Sequence, residues 1–271
     1  MNKSKQNIEK GFSKISSHYE QLDKTSSLIN WMRKRVRKHL HKELKPIAKI
    51  LEINCGSGID AVYFAKKGYN IHATDIAPGM IDFVKSKIKS ESLRKNLSCQ
   101  RLSFNELNEL NPQKYNHIFS NFGGLNCSSE EELKEVFGLF KQLLSPNGKI
   151  TLVLMPKICA WEFLKILKGN KTAFRRLKKD GVFANIEGEQ VHTFYHSASR
   201  IKNLLLKDFK NFKVENICFL APTGNHVDFP EKYPVLFNTL SLFDTISNKI
   251  PFFRGYGDYY ILTASLKLSL C

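Results

Sequence analysis

Apolar and polar positions follow two alternating rhythms along the first part of the chain. Short apolar runs predict strands at Ile50–Ile53, Asn70–Thr74, Leu97–Leu102, His117–Ser120 and Lys149–Met155. Between these runs, apolar residues recur at helical spacing in IDAVYFAKKG, PGMIDFVKSKIKSESLRKN and SEEELKEVFGLFKQLL, and Ser129 caps the last of these segments. Strands that alternate with helices in this way predict a mostly parallel sheet covered by helices on both faces.

The rhythm changes after Pro156. A basic and aromatic segment of helical pattern spans 157–179, a short strand is predicted in EQVHTFYHS, and two more strands are predicted in FKVENICFLAP and GDYYILTASLKL. The predicted fold is α/β: a Rossmann-like, doubly wound, mostly parallel seven-stranded sheet with an α+β insertion before the last two strands. The predicted segments are a basic N-terminal helical segment (1–48), a core of strands and helices (49–155), a basic insertion that caps the site (156–210) and C-terminal strands that complete the sheet (211–271).

The composition indicates a globular chain. With 271 residues, 42% of them hydrophobic, the chain can bury a full core. Its six cysteines lack the close spacing of a metal site or a redox motif, which indicates free thiols in a reducing compartment and predicts no bound metal. We find neither a signal-peptide pattern nor an apolar run of membrane-spanning length, so we expect a soluble, cytoplasmic protein.

The net charge of +17 is concentrated in two segments. Residues 1–49 hold 13 Lys/Arg against 4 Asp/Glu, and residues 156–213 hold 13 against 5, so the rest of the chain is neutral. Two basic additions to a neutral body predict an anionic partner, either an acidic acceptor or an anionic membrane surface. The alternative is that these residues cover solvated faces, and this applies equally to RKRVRKHLHK in the N-terminal segment. For a membrane contact, the insertion offers four apolar side chains for acyl tails and four cations for headgroups: Trp161, Phe163, Leu164 and Phe174, with Lys165, Lys168, Arg175 and Arg176.

The segment KILEINCGSGIDAVYFAKKG predicts a strand, a glycine turn and a helix. Gly56 and Gly58 allow the backbone to approach a ligand, and with Ala61 they match the G-x-G-x-x-A pattern of dinucleotide-binding folds. Glu52 lies inside the end of the strand, where a dinucleotide needs no acid but a cationic ligand would be stabilised by one. The next strand ends at Asp75, where a carboxylate can accept from both hydroxyls of a ribose.

Taken in order, these motifs resemble those of the class I S-adenosylmethionine-dependent methyltransferases, particularly the broad group that includes the ubiquinone and menaquinone biosynthesis methyltransferases. The stretch Glu52-Ile53-Asn54-Cys55-Gly56-Ser57-Gly58 is similar to the family's acid-x-Gly-x-Gly-x-Gly motif. The resemblance continues through GYNIHATDIAPGMI, YNHIFSNFGGLNC and LFKQLLSPNGKITLVLM, and it covers residues 15–155. It implies S-adenosylmethionine as the cofactor.

The resemblance also implies which residues hold that cofactor. In motif order they are Glu52, Asn54, Cys55, Gly56, Ser57 and Gly58 at the methionine part, Asp75 at the ribose, Ile76 and Met80 beside the adenine, Ser103 and Phe104 near the adenine amine, and Asn121, Phe122 and Gly123 at the methyl group. Tyr19 and Arg33 are expected to reach the cofactor from the N-terminal segment, Arg33 at its carboxylate. The sequence departs from the family pattern at Ser103-Phe104, where an acid and a small residue are common, and at Asn54, which replaces a glycine but tolerates positive φ.

The resulting prediction is a methyltransferase for a small-molecule or lipid-like acceptor enclosed by the insertion. Methyl transfer from a sulfonium needs little beyond alignment and exclusion of water, so no dedicated catalytic residue is required. His192 and Tyr195 are candidates for a group that takes a proton from the acceptor, and the alternative is that they are ordinary polar residues of a strand.

Two other classes of function stay open. An NAD-dependent oxidoreductase would use the G-x-G-x-x-A pattern. An RNA-directed methyltransferase or another nucleic-acid-binding protein would use the basic segments, although the excess of Lys over Arg weakens specific recognition and disfavours a nucleic-acid partner. The acceptor atom, whether oxygen, nitrogen or carbon, is left open, and a monomer is favoured.

Overall fold

The computed structural model of the chain describes residues 3–90, 93–162, 169 and 171–268. The strands are β1 Lys49–Ile53, β2 Asn70–Asp75, β3 Leu97–Arg101, β4 Tyr115–Ser120, β5 Leu144–Leu154, β6 Val182–Ile186, β7 Glu189–Thr193, β8 Phe209–Ile217 and β9 Tyr259–Leu266. Seven of them form one sheet in the order β3-β2-β1-β4-β5-β9-β8, and β6 pairs with β7 in a separate hairpin. The predicted Rossmann-like α/β fold with a mostly parallel seven-stranded sheet is confirmed.

The direction of the strands defines one functional edge. Neighbouring strands from β1 to β5 are parallel, whereas β9 runs antiparallel to both β5 and β8. The first five strands and β8 therefore end at the same edge, which we call the carboxyl edge, and β9 begins there. From β1 the chain adds β2 and β3 on one side of the sheet, and it then continues with β4 on the other side of β1. Ligands of open α/β sheets bind at the point where the strand order changes direction in this way.

Helices cover both faces of the sheet. They are α1 Lys3–Thr25, α2 Ser27–Glu43, α3 Ile59–Lys66, α4 Pro78–Ser90, α5 Glu130–Leu143, α6 Ala198–Leu205, α7 Phe229–Lys232 and α8 Pro234–Ser247. On one face Met32 of α2 and Phe64 of α3 belong to the same buried cluster as Ile50 of β1, and α5 and α6 bury their apolar sides on the other face. Ser129 and Glu132 start α5 with a capping box, which confirms the predicted cap. Within these described ranges, no helix combines the length and the apolar character needed to cross a membrane.

The region between β5 and β8 differs from its predicted pattern. One strand was predicted in EQVHTFYHS, but the chain forms the hairpin of β6 and β7, because Glu187 and Gly188 with φ of 49° and 84° turn it back. Of the predicted helical segment 157–179, residues 171–177 form a 3-10 helix. The predicted membrane-facing residues Phe163, Leu164, Lys165 and Lys168 lie outside the described residues.

Helix α1 crosses the carboxyl edge from the hairpin to α4. At the hairpin, Lys14 of α1 pairs with Glu189 at 2.7 Å. At α4, the first turn lies directly against α1, since a Cβ added at Gly79 would stand 3.0 Å from the backbone oxygen of Ser13. The helix therefore covers the edge between the hairpin and α4.

The structure corrects part of the expectation that the basic segments are free to meet an anionic partner. Arg176, expected at lipid headgroups, is 3% exposed and pairs with Asp258 at 2.5 Å and with Glu162 at 3.4 Å. Arg35, in a stretch expected to be a solvated face, pairs with the buried Asp244 at 3.0 Å. These cations are already neutralised within the fold.

Candidate functional site

The chain leaves β1 through a turn in the left-handed region of backbone conformation. Asn54, Gly56 and Gly58 have φ of 47°, 55° and 76°. A Cβ added at Gly56 would meet no atom within 4 Å, whereas one added at Gly58 would stand 2.7 Å from Cγ2 of Val84. Gly56 is therefore the place where a ligand can approach the backbone, and Gly58 allows α4 to pack against the turn.

Asn54 occupies the first glycine position of the motif and adds a link that glycine cannot make. Its side-chain oxygen accepts from the Ser120 hydroxyl at 2.7 Å, and its amide nitrogen donates to the backbone oxygen of Asn121 at 3.1 Å. The amide also lies against Gly124, where an added Cβ would overlap it. Asn54 thus ties the end of β1 to the end of β4.

Asp75 ends β2 beside this turn. Its Oδ2 accepts the N–H of Gly56 and its Oδ1 accepts the N–H of Ala77, both at 2.9 Å. A carboxylate offers about four acceptor positions in all, so Asp75 keeps acceptor capacity for a ribose hydroxyl. Burial raises the pKa of Asp75, and the backbone N–H groups oppose that shift. The glycine turn itself therefore orients the carboxylate.

The residues expected around an adenine lie at the ends of β2 and β3. Met80 is buried in the first turn of α4, and Ile76 is half-buried next to Asp75. Ser103 caps a short 3-10 helix that begins at Phe104, and Phe104 packs against the apolar core. At the two positions that depart from the family pattern, Ser103 therefore caps the 3-10 helix and Phe104 packs against the core.

Cys55 and Ser57 lie inside the turn. Burial raises the pKa of the Cys55 thiol well above its usual range, so the thiol is neutral. The backbone oxygen of Ser57 accepts from Lys87 Nζ at 2.8 Å, and the same ammonium pairs with Glu20 of α1 at 2.6 Å. Lys87, which the motifs did not identify, joins the turn, α4 and α1.

Glu52 is a buried acid in the middle of the sheet. It is 3% exposed and lies between Ala73 of β2 and Phe119 of β4. Burial raises the pKa of Glu52 well above its usual range, and the neighbouring Asp60 raises it further. A cationic group bound beside this carboxyl would favour its ionised form, which is the property expected of an acid that serves a cationic ligand.

Asp60, in the first turn of α3, is a site residue that the motifs did not identify. Its carboxylate is 2% exposed and accepts from Arg37 Nε at 2.7 Å, from Asn121 Nδ2 at 2.8 Å and from Arg33 Nη1. Burial would raise the pKa of Asp60, but the two guanidinium groups outweigh that effect and hold the pKa below its usual range. The available signal was an acid in the first turn of a helix, where the helix dipole favours negative charge.

Aromatic residues cover the end of β4. The ring of Phe122, which has a φ of 44°, lies 4.9 Å from the Arg33 guanidinium and 5.6 Å from the Tyr259 ring. A Cβ added at Gly123 would stand 3.3 Å from the same tyrosine. Burial raises the pKa of Tyr259, and Tyr19 of α1 is among the neighbours that add to the shift. The structure therefore brings the predicted Arg33 and Phe122 together at the end of β4, with Tyr259 against the Phe122 ring.

The two catalytic candidates, His192 and Tyr195, each have contacts of their own. His192 stacks on Phe183 with ring centroids 4.5 Å apart, and its Nε2 is 2.5 Å from the backbone oxygen of Asp180. Tyr195 is 6% exposed, with the Arg176 guanidinium 5.1 Å from its ring. Both line a cavity of about 650 Å³, whose described lining contains none of the residues predicted to hold the cofactor. A role above the cofactor for His192 and Tyr195 stays a prediction.

The residues at the ends of β1 and β2 fit S-adenosylmethionine. The space over Gly56 admits a ligand, Asp75 can accept from the hydroxyls of a ribose, and the buried Glu52 suits a cationic end. Glu52 and the glycine turn belong to β1 and its end, and Asp75 ends the adjacent strand β2. One extended ligand can therefore contact all three.

Comparison by sequence identifies a domain in this part of the chain. Residues 50–148 match the model of the methyltransferase domain family. The matched range contains the glycine turn, Asp60, Asp75 and Asn121. No curated protein matches the chain by sequence.

Solved structures share the fold, among them S-adenosylmethionine-dependent methyltransferases. One from Methanosarcina mazei is 16% identical with a TM-score of 0.55, covering 84% of this chain and 96% of that chain. DhpI, solved with S-adenosylhomocysteine, is 10% identical with a TM-score of 0.59, covering 99% and 98%. Phosphoethanolamine N-methyltransferase 2 of Haemonchus contortus, in complex with phosphomonomethylethanolamine and S-adenosylhomocysteine, is 14% identical with a TM-score of 0.60, covering 94% of this chain and 58% of that one. At these identities the likeness shows the fold, and the narrower resemblance to the quinone-biosynthesis group stays a prediction.

Proposed function

We propose that this chain is a class I S-adenosylmethionine-dependent methyltransferase and that it transfers a methyl group to a small-molecule or lipid-like acceptor. The observation that carries the proposal is the pair formed by Gly56 and Asp75. The same turn leaves open space for a ligand and holds a carboxylate that can accept further hydrogen bonds. The dinucleotide alternative loses its basis, because the domain match concerns a methyltransferase and Glu52 suits a cationic ligand.

The chain's own contribution to the reaction is alignment and exclusion of water. S-adenosylmethionine supplies, when bound, an electrophilic methyl group on a sulfonium. Asp75 would hold the ribose hydroxyls, Gly56 would let the backbone contact the ligand closely, and Glu52 would stabilise its cationic end. Helix α1 covers the edge on which these residues lie, and that cover supports a site from which water is excluded.

An anionic acceptor would suit the chain. The net charge of +17 attracts such a molecule over distances of about 8–10 Å at moderate salt. A protein of the same fold holds phosphomonomethylethanolamine, which carries a phosphate. We therefore propose an acceptor with a phosphate or carboxylate group, cytoplasmic or at a membrane surface, and leave the methylated atom open.

Replacing Asp75 with alanine should weaken the binding of both S-adenosylmethionine and S-adenosylhomocysteine by about 1.5–3 kcal/mol, because the ribose hydroxyls lose a charged acceptor. Isothermal calorimetry on the folded protein measures this change. Asp75→Asn keeps one acceptor oxygen and should lose less affinity than Asp75→Ala. Unchanged affinity in Asp75→Ala would show that the ribose does not bind at the end of β2.

The acceptor class can be tested by methyl transfer from radiolabelled S-adenosylmethionine to a cell extract separated into lipid, RNA and small-metabolite fractions. We expect label in the lipid or small-metabolite fraction, and less of it with Asp75→Ala. Label in RNA alone would overturn the proposed acceptor but not the reaction. Binding of NAD without binding of S-adenosylmethionine would overturn both.

A further inference from the structure

An exposed apolar surface lies on the connection between β8 and β9. Its residues, on α8 and the turn that follows, are Val235, Leu242, Phe243, Ile246, Ile250 and Phe252, which we call the apolar surface. Val235 and Phe252 are each 79% exposed, and Leu242 is 60% exposed. Val235, Leu242 and Ile246 are spaced seven and four residues apart, so they project from one side of the helix. Six large apolar side chains on consecutive elements indicate an interaction site rather than scattered surface residues.

Contacts on the opposite side of α8 hold the apolar surface toward solvent. Asp244, on the opposite side of α8, is fully buried and accepts from the backbone N–H groups of Leu220 at 2.9 Å and Ala221 at 3.3 Å. It also pairs with Arg35 of α2 at 3.0 Å. Removing this carboxylate from its partners would be costly, so α8 cannot turn to bury its apolar surface.

The charges around the apolar surface are mostly positive. Between Lys232 and Arg254 the only acidic residue is Asp244, which is buried, and Lys249 is exposed between α8 and the following turn. Lys34 and Lys38 are exposed on α2, the helix that holds Asp244 through Arg35. The nearest acid along the chain is Glu231, whose carboxylate accepts from the Ser27 hydroxyl. An apolar face with a cationic rim complements an anionic lipid surface.

We propose that the apolar surface docks the protein on an anionic bilayer, with Val235, Leu242, Ile246 and Phe252 in the acyl boundary and Lys232, Lys249 and Arg254 at the headgroups. A second copy of the chain is a less favourable partner for the apolar surface, because the cations around the two surfaces would repel each other. Of the cations of the insertion, Arg176 is not available for such a contact, since it is buried in ion pairs. The docking does not depend on which acceptor is methylated.

The position of the apolar surface relates docking to the candidate active site. The connection that carries it leaves β8 at Ile217 and enters β9 at Tyr259, both at the carboxyl edge. Tyr259 contacts Phe122 at the end of β4, with ring centroids 5.6 Å apart. Docking would therefore hold the carboxyl edge close to the bilayer.

Flotation of the full chain with vesicles tests the proposal. At low salt, we expect binding to phosphatidylcholine vesicles that contain phosphatidylglycerol, with weaker binding to phosphatidylcholine alone. The double variant Leu242→Gln, Ile246→Gln should bind anionic vesicles at least about tenfold more weakly, because two apolar side chains no longer enter the bilayer. Lys249→Glu should bind several-fold more weakly and show less dependence on salt.

The matched control is Ile47→Gln, which changes a residue that is 74% exposed in the loop before β1, at the other edge of the sheet. It should bind vesicles as the unchanged protein does. S-adenosylmethionine affinity and the unfolding midpoint of each variant check that the fold is intact. Indifference of the unchanged protein to anionic vesicles, or full binding by the double variant, overturns the proposal. A dimer that forms without lipid and is lost in the double variant also overturns it, because the surface would then be an interface between copies.

Discussion

Replacing Gly56 with valine is expected to abolish measurable binding of S-adenosylmethionine while the chain stays folded. Gly56 has a φ of 55°, and the space where its Cβ would stand is open. A β-branched side chain at positive φ costs about 1–3 kcal/mol of backbone strain and fills the space over the turn that the ligand needs. Calorimetric titration with S-adenosylmethionine and S-adenosylhomocysteine measures the loss.

Asn54→Gly is the matched control for this prediction, since it changes the same turn two residues earlier. Glycine accepts the φ of 47° at position 54, so cofactor binding should be retained. The variant does lose the hydrogen bonds to Ser120 and Asn121, which should lower the free energy of unfolding by about 1–3 kcal/mol. Normal affinity in Gly56→Val would show that the turn is not the cofactor site.

Replacing Asp60 with alanine should lower the free energy of unfolding by about 3–5 kcal/mol, the usual cost of breaking a buried ion pair. Asp60 is 2% exposed and is the shared partner of Arg33, Arg37 and Asn121. Without the carboxylate, the two guanidinium groups lie close together in a largely buried position with less compensating charge. Unfolding in urea, followed by circular dichroism, measures the difference.

Asp82→Ala provides the control for charge alone. Asp82 is exposed on α4 and pairs with Lys85 at 3.4 Å, so its loss should change the free energy of unfolding by no more than about 0.5 kcal/mol. If Asp60→Ala were as mild as Asp82→Ala, the cluster at the start of α3 would not stabilise the fold.

The features that could be predicted from the sequence are those that depend on neighbouring residues. The glycine turn at Gly56 requires positive φ, and the strand before it and the helix after it are visible in the spacing of apolar residues. Asp75 could be placed beside the turn because parallel strands that follow one another end at the same edge. Ser129 could be recognised as a cap from the glutamate three residues later.

The ion-pair partners of the cationic residues could not be predicted from the sequence. The sequence places Arg33, Arg35 and Arg37 on one helix and Arg176 in a basic insertion. It predicts Arg33 at the carboxylate of the cofactor, and it predicts that the two segments meet either an anionic partner or solvent. Arg33 finds its acid 27 residues away in Asp60, and Arg35 finds Asp244 across 209 residues. Such pairs form only when α2 packs on the assembled sheet, so composition and local spacing do not reveal them.

By itself, the sequence determined the α/β class, the order of strands and helices from β1 to β5, and the motif that identifies the cofactor. These properties depend on periodicity and backbone conformation within a few residues. Only the tertiary structure decided which of these charges are neutralised, that His192 and Tyr195 line one cavity, and that α8 turns an apolar face outward. The physical reason is that burial and ion pairing depend on which distant segments come into contact. The buried Asp244 thus determines the exposure of Val235 and Leu242 through contacts with residues that are far away in the chain.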